Sequence, residues 1–337
     1  MKIALLGCKG TTLDLLNSII EQQSFKIDML ITLPANIAEK NQVAFYKGPE
    51  LASYCQQHAI SVYCVQSYNL KYEEDFKLFQ GLGIDLLLAF GWERLIPGEI
   101  LQILGKFACG MHGSPFGLPK GRGRSPLNWS LINNHSKFLT YLFKYDPLID
   151  SGQIIGMKVF DVNVFDTIAT LHMKNRIAMG QLLKMYVPLI ESNEVTFLSQ
   201  PPEKPTYYPK RTPEDSGIDW QQSTRQIYNL IRAVAPPYPP AYCYYNGKKI
   251  FITEAHPFDS DMFHCSTIPG TIVDISISLG QFIAKTIDGT LFVKQFNGAN
   301  IQDFKAGDVL KGVNHHDILQ QIRQRYPENI SSDQKEI

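Results

Sequence analysis

Short apolar runs alternate with amphipathic stretches through the first hundred residues. Residues 2–6 predict a strand, and 12–22 a helix with Leu13, Leu16, Ile19 and Ile20 on one face. Residues 27–33 predict a second strand, 49–58 a helix, 61–65 a strand and 74–82 a helix. The run 84–90 (Ile-Asp-Leu-Leu-Leu-Ala-Phe) is apolar almost throughout, as suits a central strand buried on both faces of a parallel sheet. Strands separated by helices predict right-handed crossovers, with ligands at the carboxyl ends of the strands. Beyond residue 191 the pattern changes. Ser199-Gln200-Pro201-Pro202-Glu203-Lys204-Pro205 has linker composition, and 223–234 predict a helix stopped by Pro236-Pro237-Tyr238-Pro239-Pro240. From 241 to 310 short strands follow, with Asn246-Gly247 and Asp288-Gly289 as turns. Five or six strands in that span predict a small barrel of OB-like size. The expected plan is an α/β, Rossmann-like unit over 1–195 with a mostly parallel sheet, a linker over 196–216, the barrel over 217–315 and a polar tail over 316–337 that frays from Arg325.

A chain of 337 residues is long enough for two cores. Its 32 Lys+Arg balance 32 Asp+Glu. Residues 1–200 carry a net +1 and 201–337 a net −1, so no global field draws in nucleic acid. Neither a membrane-spanning run nor a secretory leader is visible, which makes the cytoplasm the expected compartment. The six cysteines (Cys8, Cys55, Cys64, Cys109, Cys243, Cys265) have no ligand spacing and read as scattered buried thiols, with no metal indicated.

The glycines of Gly7-Cys8-Lys9-Gly10-Thr11-Thr12 do not make a dinucleotide fingerprint, nor do Gly121-Arg122-Gly123-Arg124 make a phosphate loop. The densest run of unusual residues is 110–129, with five glycines, three prolines and three cations, and it predicts a long ordered loop rather than a core strand or helix. His112 is expected where a strand ends, and Asp150 in the Asp-Ser-Gly turn at the same sheet edge. A histidine and an acid so placed make a base and its orienter. Among the other histidines, His58, His135, His256 and His264 are expected in helix ends or loops without partners, and His315-His316 at a helix start.

His112-Gly113-Ser114, Leu118-Pro119-Lys120 and Arg122-Gly123-Arg124-Ser125-Pro126-Leu127-Asn128-Trp129, followed by Asp150-Ser151-Gly152-Gln153-Ile154-Ile155, resemble the signature of the 10-formyltetrahydrofolate-dependent formyltransferases. Ala89-Phe90-Gly91-Trp92-Glu93-Arg94-Leu95-Ile96-Pro97 is similar to that family's folate-pocket strand and loop. Lys210-Arg211-Thr212-Pro213-Glu214-Asp215 and Ile231-Arg232-Ala233 with Pro237-Tyr238-Pro239 resemble the second domain of enzymes acting on nucleotide-linked amino sugars. The resemblance covers most of 1–310. It implies 10-formyltetrahydrofolate as co-substrate, His112 as base or oxyanion partner, and Asp150 as its orienter and proton relay. It further implies a pterin against Phe90, Gly91, Trp92, Leu95, Ile149 and Asp150, and an acceptor met by Arg124, Arg122 and Ser114. Its implied acceptor is the amine of a nucleotide-linked sugar in cell-surface polysaccharide biosynthesis.

Two departures stand out. Gly110 occupies the position where the family has an asparagine, whose loss removes an oxyanion donor of the kind worth ~3–4 kcal/mol. Pro115-Phe116-Gly117 lengthens the loop after His112. The alternatives are a methionyl-tRNA formyltransferase, which the charge balance weighs against, a formyltetrahydrofolate hydrolase, and a folate- or nucleotide-binding module weakened by Gly110. For the barrel, packing on the catalytic unit, a homodimer contact and an accessory ligand all remain open.

Overall fold

The computed structural model describes residues 1–264, 266–326 and 330–337. Its first half alternates as the apolar pattern demands: β1 (Ile3–Leu6), α1 (Gly10–Glu21), β2 (Met29–Thr32), α2 (Ala35–Lys40), α3 (Gly48–Gln57), β3 (Ser61–Cys64), α4 (Glu73–Leu82), β4 (Leu86–Ala89) and α5 (Gly98–Gln102). There follow β5 (Phe107–Ser114), β6 (Arg122–Gly123), α6 (Pro126–Ile132), β7 (Lys137–Lys144), β8 (Ile154–Asp161) and α7 (Ile168–Glu191). Seven strands form one sheet in the order β3-β2-β1-β4-β5-β7-β8. The first five are parallel, and β7 and β8 add antiparallel at one side. β1 and β4 are fully buried because apolar clusters cover both faces of the sheet.

Residues 110–114 correct the expectation of a loop. They form the second half of β5, paired with β7 through Gly110–Phe143, His112–Tyr141 and Ser114–Leu139. Their glycines serve packing rather than turning. A Cβ on Gly110 would come within 2.2 Å of Tyr145, and one on Gly113 within 2.1 Å of Phe138. Residues 126–132 also depart from a loop, because Pro126 occupies the first turn of α6, where its missing N–H costs nothing.

The second unit begins with the short β9 (Tyr207–Tyr208) and α8 (Thr224–Ala233). It continues with β10 (Ala241–Tyr245), β11 (Lys248–Pro257), β12 (Ile272–Ser276), β13 (Gln281–Lys285) and β14 (Thr290–Asn297), and ends in α9 (His315–Arg323). The five longer strands make an antiparallel sheet ordered β10-β11-β14-β13-β12. Asn246 and Gly247 turn its first hairpin with φ of 48° and 76°, the double positive geometry of a type I′ turn. One segment bridges both edges: Val309 pairs with Thr271, and Lys311 with Tyr244. Helix α8 lies between the two units. Arg232 on it is buried and donates to Asn163 O (2.7 Å) and Asp166 O (2.9 Å).

Three further expectations are corrected. His256 lies in β11, with Glu254 3.5 Å away, because past an irregularity at Glu254 the strand goes on pairing with β14 as far as Pro257. Cys64 is exposed, while Cys8, Cys55, Cys109 and Cys243 are buried; Cys265 lies outside the described residues. The tail from Arg325 does not fray over its described part. Tyr326 and Ile330 are buried, Lys335 pairs with Tyr207, and Glu336 N donates to Tyr207 O (3.1 Å). No helix among the described residues is long and apolar enough to cross a membrane.

Candidate active site

His112 and Asp150 meet although 38 positions separate them in the sequence numbering. His112 Nδ1 lies 3.3 Å from Asp150 Oδ2, and Nε2 lies 2.9 Å from Gly121 O. Both partners are acceptors, and a neutral imidazole has only one N–H. The ring therefore donates in both directions only when the pair carries one extra proton, shared between Nδ1 and the carboxylate. Asp150 is placed by a left-handed turn (φ 49°), and its Oδ2 also accepts from Gly123 N at 3.0 Å. Gln200 holds that turn by donating to Asp150 O (2.8 Å) and Gly152 O (2.9 Å). The extra residues 115–117 are taken up in the loop between β5 and β6 and do not separate the pair.

The loop after β4 forms one side of the site. Phe90 is buried, and its carbonyl accepts from Thr12 Oγ1 at 2.7 Å. Gly91 (φ 77°) lies so close to Thr12 that a Cβ there would meet its Oγ1 at 2.2 Å. The turn that opens at Gly7 thus packs on the backbone of 90–91, where a Cβ on Gly7 would meet Phe90 O at 2.1 Å, which explains that glycine without a phosphate. Trp92 is buried edge-on to Tyr68, with no partner for Nε1. Leu95 and Ile149, by contrast, expose 48% and 40% of their surface. Their two loops approach one another where a Cβ on Gly98 would stand 4.0 Å from Pro147, and Ile149 offers apolar surface next to Asp150.

The cations expected to meet an acceptor are placed differently from one another. Arg124 is partly exposed and its Nη2 contacts Glu93 Oε2 at 2.9 Å. Arg122 is buried and donates to Gln200 Oε1 at 2.5 Å, so it braces the loop that carries Asp150. Ser114 is buried too, and its Oγ accepts from Phe116 N at 3.1 Å.

Three groups were not singled out by the sequence pattern. Glu93 bridges Lys9 and Arg124. Burial pushes its carboxyl up, but Lys9 and Arg124 outweigh burial and hold it below the ordinary range. Tyr238, from the Pro-rich stop after α8, packs edge-on to Phe45 (4.9 Å) and hydrogen-bonds His172 Nε2 at 3.0 Å. Tyr145 fills the space that a side chain on residue 110 would take. Only spatial neighbourhood reveals these residues. The one advance signal was Gly110, a glycine inside a buried strand.

Burial, assisted by Lys9, lowers the His172 pKa from 6.5 to about 4. The unfolded chain then binds the proton first, so stability is full above about 6.5 and falls as the pH drops towards 4. Chemical denaturation across that window should show a loss of roughly 1–3 kcal/mol that His172→Gln removes. Equal slopes in both proteins would exclude His172 as its source.

Residues 210–314 match the family model described as formyl transferase, C-terminal domain. Among solved structures, the chain is similar to an N-formyltransferase from Helicobacter canadensis, in complex with folinic acid and dTDP-3-aminofucose. The identity is 18% and the TM-score 0.60, over 87% of this chain and 99% of that one. WlaRD, a sugar 3N-formyltransferase in the presence of dTDP and 5-N-formyl-THF, matches at 17% identity and TM-score 0.60, over 87% and 97% of the two chains. HypX from Aquifex aeolicus, in complex with tetrahydrofolic acid, matches at 16% and 0.60, over 96% of this chain but only 47% of its own. Over residues 210–314 the chain thus carries a domain of the formyl transferase C-terminal type, and over most of its length it shares the fold of the N-formyltransferase structures.

Proposed function

We propose that the protein is an N-formyltransferase that moves a formyl group from 10-formyltetrahydrofolate to the amine of a nucleotide-linked amino sugar. The observation that carries this reading is the His112–Asp150 pair at the end of β5, with Nδ1 3.3 Å from Oδ2 and Nε2 2.9 Å from Gly121 O. The co-substrate brings a formyl carbon on N10 that is open to attack by an amine. Leu95 and Ile149 fit its apolar face, and the exposed edge of the 91–98 loop fits the pterin.

The chain's own groups then manage charge and protons. As the amine attacks, negative charge grows on the formyl oxygen, and His112, when protonated against Asp150, offsets it. Asp150 takes the proton the amine must lose, while the proton shared with Nδ1 is available to the departing nitrogen. Arg124 swings from Glu93 to a phosphate of the acceptor, for which a guanidinium is well shaped. Relatives in the same fold bind dTDP-sugars and folates, which supports this acceptor class. The bridged five-stranded unit is read as a small OB-like barrel that buttresses the site through Tyr238.

The test is tetrahydrofolate release from 10-formyltetrahydrofolate, with and without a panel of nucleotide-linked amino sugars. Release dependent on one sugar is expected. Equal release without any sugar would make the protein a hydrolase, and no release with any sugar would reject the reading. A second prediction concerns Glu93→Gln, which leaves Arg124 without its charged partner. It should change KM for the acceptor severalfold and leave KM for the folate unchanged, as steady-state titration of each substrate would show.

A further inference from the structure

The geometry points to Tyr145 as a catalytic residue whose hydroxyl donates a hydrogen bond to the formyl oxygen during transfer. This inference rests on the formyltransferase reading above. Alternation along β5 places residues 108, 110, 112 and 114 on one face. Residue 110 has no side chain, and the Tyr145 ring lies in its place. Cε2, Cδ2 and Cζ are 2.2, 2.8 and 3.0 Å from where a Cβ would stand. The ring thus occupies the face of β5 that carries His112, one pleat away.

Tyr145 is also fixed in position. It directly follows β7, its N–H donates to Ala108 O at 2.8 Å, and its ring packs against Phe143 at 5.5 Å. Burial and the neighbouring Asp150 charge both push the phenol up, so the hydroxyl keeps its proton at neutral pH. The ring runs along the face of β5 from residue 108 over Gly110 towards His112, and the Asp150 carboxylate is near enough for its charge to act on the phenol.

Chemistry needs such a donor here. The formyl oxygen gains charge during attack, and His112 already shares its protons with Gly121 O and Asp150. A fixed neutral O–H supplies a second donor without adding charge to the site. Gly110 then has a purpose: any side chain at 110 would displace the ring, so the glycine and the tyrosine are one arrangement.

Tyr145→Phe keeps the ring and removes only the donor. It should lower kcat about 100-fold and leave both KM values within about twofold, as for a donor used in the transition state. A direct reading comes from infrared difference spectra of bound 10-formylfolate carrying a 13C-labelled formyl group. Its carbonyl band should lie at lower frequency in the wild type and return towards the solution value in Tyr145→Phe. Gly110→Asn should be inactive alone, through collision with the ring, and regain activity in a Tyr145→Ala background. Unchanged kcat and an unshifted band in Tyr145→Phe would overturn the assignment. A wild type that binds the folate but transfers to no amine would instead reject the formyltransferase reading, and the band shift would still report whether Tyr145 touches the formyl oxygen.

Discussion

Replacing His112 by alanine is expected to reduce formyl transfer by roughly 10²–10⁴-fold, the range for a positioned group that handles both a proton and developing charge. The loss should fall on kcat. His112 is buried against Gly121 and Asp150 and presents little surface for ground-state binding. Asp150→Asn should be comparably damaging. The amide still accepts from Gly123 N, yet it neither takes up a proton nor favours the imidazolium. Stopped assays of tetrahydrofolate release at saturating substrate would measure both variants. A His112→Ala enzyme within tenfold of wild type would remove the pair from the mechanism and leave the oxyanion to other donors.

Substitution of Asp215 by alanine is expected to have the largest effect on stability, with a loss of about 3–5 kcal/mol. The Asp215 side chain is 1% exposed, accepts from Arg325 Nη2 at 2.6 Å and receives Thr212 N at 2.7 Å. Nearby, Arg211 lies over the Trp129 ring at 4.9 Å, where burial lowers its pKa to about 10 and Asp215 opposes the shift. Removing the carboxylate takes its buried counter-charge from two guanidinium groups that repel one another. Urea unfolding would give the loss directly. Asp215→Leu combined with Arg325→Met should recover much of it, since an apolar pair of similar volume avoids the desolvation cost. A single-variant loss below 1 kcal/mol would show that water reaches the arginines.

The legible parts of the fold are those where one physical demand dominates. β1 and β4 read as continuous apolar runs because both faces are covered, and α8 reads from Ile227 and Ile231 because one face is buried. Helix α7 does not, although it has 24 residues. Met173, Ile177 and Met185 are apolar yet exposed, so its period is blurred. β5 was misread for another reason. Glycine in a tight turn and glycine beneath an aromatic ring look alike in sequence, and only the contacts with Tyr145 and Phe138 separate them. For the site, His112 and Asp150 carry recognisable local motifs, whereas Glu93, Tyr145 and Tyr238 gain meaning only from partners far along the chain.

The segment around Thr206 joins three distant stretches of chain. Gly121 N donates to Thr206 Oγ1 at 2.9 Å, Arg122 and Gly123 pair with Tyr207 and Tyr208, and Thr206 bonds Glu336. The loop that holds Asp150 is therefore latched by residues 206–208, which Lys335 and Glu336 brace in turn. During synthesis the loop can therefore close once residue 208 has emerged, and the contacts of Lys335 and Glu336 with 206–207 firm that closure from behind at a later stage.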